Sequence, residues 1–148
     1  MKNLHIKLII LITIFVLSGC RTSMTNFDGD VIEVLTDGEW SWVSEEDSCA
    51  KAVQVIEFNE SQTLMTMHWE DRSGENQGVV YKYNIQEING SNIKADMIGE
   101  ERKNKSNELV SWNLVVKSPE LYCWNRTDWP MTSCTNDMYK CKSKTTNQ

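Results

Sequence analysis

The segment 79–98, VVYKYNIQEI-NG-SNIKADMI, restricts the fold more than any other part of the chain. Two runs alternate apolar and polar residues, and Asn89-Gly90 stands between them. A period of two sends successive side chains to opposite faces of a strand. Asn-Gly between such runs is the strongest short hairpin signal, because a type I′ turn needs positive φ at both central residues. The alternation recurs. Met65, Met67 and Trp69 oppose Thr66 and His68, while Val110, Trp112, Leu114 and Val116 oppose Ser111 and Asn113. Further strands are expected at EWSWV (39–43), KAVQVIEF (51–58) and LYCWNR (121–126), and DVIEVL (30–35) is another candidate. No amphipathic helix longer than two turns is expected, Thr135 to Lys140 being the one candidate exception. An apolar and a polar face on strand after strand, with short connections, describes an antiparallel meander. Closure removes the exposed edges of such a sheet. The expected fold is therefore all-β, a small antiparallel meander barrel of seven to eight strands, with a two-sheet β-sandwich as the alternative.

The N-terminus has a different character. Lys2 and Lys7 precede the run Leu8 to Leu17, broken only by Thr13. A membrane-spanning helix needs about 20 apolar residues, so this run is too short to span and suits a secretory signal at 1–19. Its ending, Leu17-Ser18-Gly19-Cys20, resembles the lipobox of bacterial lipoproteins. The resemblance implies that Cys20 becomes the acylated N-terminus after cleavage and carries diacylglyceryl and palmitate-type chains. Stable anchoring takes more than one acyl chain, a condition that a triacylated Cys20 meets. Arg21 follows, where that family uses aspartate for inner-membrane retention. The resemblance thus implies the cell envelope, at an outer membrane facing the periplasm. Residues 20–30 are then the acylated terminus and tether, 31–141 the barrel domain with a disulfide-stapled end, and 142–148 a disordered tail.

Removal of Lys2 and Lys7 with the signal takes the 15 basic residues to 13 against 21 acidic ones, a net charge of −8. Such a surface repels nucleic acid, so no nucleic-acid partner is expected. Besides Cys20 there are Cys49, Cys123, Cys134 and Cys141, an even number that implies two disulfides in an exported chain. No Cys-x-x-Cys spacing points to thioredoxin-like chemistry. His68 is the sole histidine of the mature chain, and no metal or other cofactor is expected.

Gly38-Glu39-Trp40, at the head of the first clear strand, resembles the Gly-x-Trp motif that opens lipocalin and related calycin barrels. In that family the tryptophan plugs the closed end of the barrel and an arginine at the end of the last strand packs over it. Arg126 stands where that partner is expected, on one alternation face with Tyr122 and Trp124. The family's second motif, Thr-Asp-Tyr between middle strands, is missing. Closure would make the first and last strands neighbours, bringing Cys49 towards Cys123 and leaving Cys134 with Cys141. Cys49–Cys141 with Cys123–Cys134 is the close alternative.

Trp40, Trp42, Trp69, Trp112, Trp124 and Trp129 supply bulky filler for a small barrel. Trp129-Pro130 follows the last expected strand, which makes Trp129 the candidate interface residue. His68 falls on a polar face with no nucleophile elbow to serve. The acid groups Glu45-Glu46-Asp47, Glu70-Asp71 and Glu100-Glu101 fall in expected loops, as does the basic Arg102-Lys103-Asn104-Lys105. No catalytic residue is assigned and an enzyme is not expected. Two functions follow. One is a membrane-anchored, lipocalin-like module that binds a small apolar ligand. The other is a protein-binding module for a basic partner, such as a periplasmic inhibitor or immunity-type protein, or an envelope structural partner.

Overall fold

The alternating segments pair into one sheet that closes on itself. A computed structural model describes residues 27–42, 48–74, 78–130 and 132–142. The expected signal, Cys20, most of the tether, the Glu45-Glu46-Asp47 group and residues 143–148 lie outside them. The strands are β1 (Glu39–Ser41), β2 (Ala52–Phe58), β3 (Leu64–Asp71), β4 (Val79–Asn89), β5 (Asn92–Met97), β6 (Trp112–Ser118), β7 (Leu121–Arg126) and β8 (Met138–Lys140). They form a closed antiparallel barrel in the order β1 to β8, with β8 pairing back to β1.

Register sets the inner face. Trp40 pairs with Gln54, Gln54 with Trp69, Ile56 with Met67, and Met65 with Tyr83. These residues, with Ile93, Ala95, Leu114, Val116, Tyr122 and Met138, point inward and fill most of the interior. The bulge at Ile85/Glu87 supplies local curvature of the kind a small barrel needs.

Three expectations of local structure are corrected. Residues 30–35 do not form a strand, because Val31–Thr36 is a helix, α1. The Asp30 Oδ1 accepts from the backbone N–H groups of Ile32 (2.9 Å) and Glu33 (3.2 Å), so a local cap outcompetes strand pairing. The helical spacing places Val31 and Leu35 in the core, where α1 seals one end of the barrel. Residues around Thr135–Lys140 contain β8 instead of a helix. The gap between β7 and β1 offers backbone partners on both sides, with Leu121 pairing Tyr139 and Trp40 pairing Lys140. The hairpin at Asn89-Gly90 forms, but Asn89 pairs with Asn92 and the two-residue loop is Gly90-Ser91. Only Gly90 there has positive φ (54°), which is the sign pattern of a type II′ turn and not I′.

The cysteine pairing follows from β8. Cys141 succeeds β8, and its N–H donates to the Glu39 carbonyl at 2.7 Å. That brings it to Cys49, on the single helical turn α2 (Ser48–Lys51), with a Cα–Cα distance of 5.9 Å. Cys123 bonds to Cys134 at 5.8 Å. The expectation of Cys49 with Cys123 fails because β8, not β7, is the neighbour of β1.

Candidate functional site

Opposite α1 the barrel is open, and aromatic residues concentrate there. Trp42, just past β1, packs against Trp69 of β3 with ring centroids 4.4 Å apart and the planes tilted by 37°. Tyr83 stacks on Trp124 at 4.8 Å, Trp124 meets Trp112 edge-on at 6.2 Å, and Trp112 meets Trp129 edge-on at 6.1 Å. Five of the six tryptophans thus lie at this end. Trp40 sits deeper, fully buried, with its ring edge-on to Tyr122 at 4.9 Å and its Nε1 donating to the Leu35 carbonyl at 3.0 Å.

Between these rings is an open cleft of about 300 Å³, lined by Trp42, Gln54, Trp69, Tyr81, Tyr83, Trp124, Thr135, Asn136 and Met138. Among the described residues no charged side chain lines it. It adjoins an outer cleft of about 280 Å³ that shares Trp42, Trp69 and Tyr81 and reaches Glu70, Asp71 and Val79. Trp42 is 55 % exposed and forms a wall of both clefts. At the base of the inner cleft Gln54 is only 4 % exposed, and its Oε1 accepts from the Tyr122 hydroxyl. Burial holds the Tyr122 and Tyr83 hydroxyls protonated, Tyr83 being pushed up to about 12.

The other side of the rim is held by two guanidinium groups. Arg102 lies 4.9 Å over Trp112, and its Nε and Nη2 each donate to the Glu100 carboxylate at 2.7 Å. Trp112 Nε1 also donates to Glu100 at 3.0 Å. The Glu100 side chain is only 4 % exposed. The Arg102 side-chain hydrogen bonds, helped by Trp112 and the Arg102 N–H, hold the Glu100 pKa near 2, below its ordinary 4.5. A lowered folded-state value stabilises the fold above about pH 4.5, and that contribution is lost as pH falls through about 2. The denaturant midpoint of the wild type is expected to drop between these pH values more steeply than that of Glu100→Gln. Equal slopes in urea titrations of the two proteins would refute this.

The expected barrel-closing set is only partly assembled. Gly38 and Trp40 are at the sealed end. Arg126 lies four residues beyond Tyr122, about 13 Å along β7 and at the open end. Its Nε and Nη2 bind Asp128 at 2.9 Å each, and it covers Trp129 at 5.4 Å. The basic residue beside Trp40 is Lys140, its direct partner across β1 and β8. Gly38 has φ 132°, which calls for glycine, and a Cβ there would also displace the flexible end of the Lys140 side chain, whose Cε lies 2.8 Å from that position. Lys140 then pairs with Asp37 at 2.9 Å.

Trp129, the expected interface residue, is half-buried between Trp112 and Arg126, and Trp42 is the exposed tryptophan instead. His68 points outward to Glu57 at 3.3 Å. Among the described residues no group of three or more His, Cys, Asp or Glu side chains is arranged to hold a metal. Inspection of residue types missed Gln54, Lys140 and the Trp42–Trp69 pair. The signal for the pair was present, since Trp42 continues the alternation phase of Trp40. No protein-family model, curated protein or solved structure matches the chain.

Proposed function

We propose that this protein is a lipid-anchored envelope protein, held by Cys20, whose barrel takes a small apolar ligand into the aromatic cleft at its open end. One observation carries the ligand reading. A cleft of about 300 Å³ is walled by five aromatic residues and, among the described residues, no charge, at the end of the barrel that α1 leaves open. Ligand sites are typically concave, mostly apolar and provided with few polar groups. The anchor rests on the order of charged start, ten-residue apolar run and lipobox-like ending. The reading is non-enzymatic, and Arg21 favours the periplasmic face of an outer membrane.

The neutral fluorophore N-phenyl-1-naphthylamine tests the cleft. Saturable binding is expected, and Trp42→Ala should weaken it roughly tenfold, the loss of a central aromatic anchor. No saturable signal, or an unchanged affinity in Trp42→Ala, counts against the cleft. Fractionation tests the anchor separately. Cys20→Ser should move the chain from the membrane to the soluble fraction and stop incorporation of labelled palmitate. Persistence in the membrane fraction would sink the anchor and leave the cleft untouched.

A protein-binding role is the second reading. It is favoured by Val79, Val80 and Tyr81, all exposed on β4 beside the mouth, together with the charge of −8. A steered basic partner would lose association rate steeply with salt, and a neutral ligand would not.

A further inference from the structure

The polar base of the aromatic cleft gives it a direction. Gln54 lies on the inner face of β2, between Trp40 on one neighbouring strand and Trp69 on the other. It is more than nine-tenths buried and lines the inner cleft. Its carboxamide oxygen accepts from the Tyr122 hydroxyl. That engagement fixes which way the amide faces. Among the described residues the Nε2 group, with two N–H donors, has no acceptor, yet no buried side-chain nitrogen or oxygen is sealed away without a partner. The donor therefore opens on the cleft. A donor at the base of an aromatic cleft costs free energy unless an acceptor reaches it, water when the cleft is empty and a ligand oxygen when it is filled.

The surroundings narrow what that acceptor is. Among the described residues no lysine, arginine or histidine lines the inner cleft, so nothing there would compensate a buried anion. The adjoining outer cleft carries Glu70 and Asp71, which repel one. The stacked Tyr83–Trp124 pair and the tilted Trp42–Trp69 pair offer ring faces that suit a flat body. We infer that the cleft selects a flat, neutral, largely apolar molecule that enters with a hydrogen-bond-accepting oxygen, such as a ketone, ester or amide carbonyl, leading towards Gln54 Nε2. Gln54 is then a specificity-determining residue and Tyr122 the residue that positions it. This rests on the ligand-binding reading above and deepens it.

Three probes of nearly one shape separate the possibilities by equilibrium dialysis against the whole chain. 2-Acetylnaphthalene carries a neutral carbonyl, 2-isopropenylnaphthalene replaces that oxygen by CH2, and 2-naphthoate replaces the acetyl group by a carboxylate. The wild type should bind 2-naphthoate most weakly. The ratio of ketone to alkene affinity should be about five to ten times larger in the wild type than in Gln54→Met, the change expected for one net hydrogen bond. Tyr122→Phe, which removes a single oxygen and frees the amide to turn, should also lower the ratio. Near-UV circular dichroism checks that both variants are folded. An equal ratio in wild type and variants overturns the inference, as does 2-naphthoate binding as tightly as the ketone, a result read on the wild type alone. In either case binding of the probes leaves the cleft itself standing. Failure of all three probes to bind rejects this inference and the ligand-binding function together.

Discussion

Replacing Cys49 and Cys141 together by serine is expected to lower the unfolding free energy by about 4–5 kcal/mol, the largest effect of any change here. The bond closes a loop spanning 92 positions, while Cys123–Cys134 spans only 11. Cross-linking stabilises mainly by removing conformations from the unfolded chain, and that term grows slowly with loop length. The shorter bond should therefore be worth about 3 kcal/mol by the same chain-entropy relation. The longer bond also fastens the turn α2 to the strand that completes the barrel. Without it, β8 keeps only three residues of pairing to hold its place between β1 and β7. Guanidinium unfolding of the two double-serine variants, followed by far-UV circular dichroism, measures the difference directly. Equal losses, or a greater loss for Cys123/Cys134, would contradict the account.

The second large effect is at Trp40, where alanine should cost about 3–5 kcal/mol, the range for truncating a buried large aromatic. Trp40 is fully buried, packs edge-on to Tyr122 and ties β1 to α1 through Leu35. Trp40→Phe keeps most of the packing and loses the indole hydrogen bond, leaving a buried carbonyl short of a partner, so about 1–3 kcal/mol is expected there. Trp42, two residues on, is more than half exposed. Trp42→Ala should change stability by less than about 1 kcal/mol, as surface substitutions do. A urea series on the three variants settles the ranking. A Trp42→Ala loss equal to that of Trp40→Ala would mean that the mouth is part of the core and not a binding surface.

The contrast between these two tryptophans shows how far residue order carries. Both share one alternation phase and both were visible as candidates for an inward position. Their difference in burial comes from α1, which covers one end of the barrel and leaves the other open. The helix itself was legible in principle, because Asp30 stands three residues before Glu33 at the start of Val31–Thr36, a local capping pattern. β8 was not. Its three residues, Met138, Tyr139 and Lys140, are too few to show a period, and its pairing partner Trp40 is 100 positions away in the chain. Missing that strand shifted the last strand by one, and with it the cysteine pairing and the residue set beside Trp40. Lys140 holds that place, while Arg126 is at the far end.

Gln54 marks the same limit from the other side. In AVQVIEF, Ala52, Gln54, Ile56 and Phe58 compete with Val53, Val55 and Glu57 for the inner face, and hydropathy alone does not choose. Val53 and Gln54 are both buried. Pairing with Trp40 and Trp69 turns Gln54 inward, and Tyr122, arriving from β7, sets the direction of its amide.

By itself, then, the sequence determined the strands from β2 to β7, their meander order and the even set of cysteines, because alternation and turn residues act between near neighbours. The tertiary structure alone decided which strand closes the barrel, which cysteines meet, which end stays open and what polar group waits in the cleft. Those outcomes depend on contacts between residues distant in the chain, whose geometry exists only once the sheet has curved shut.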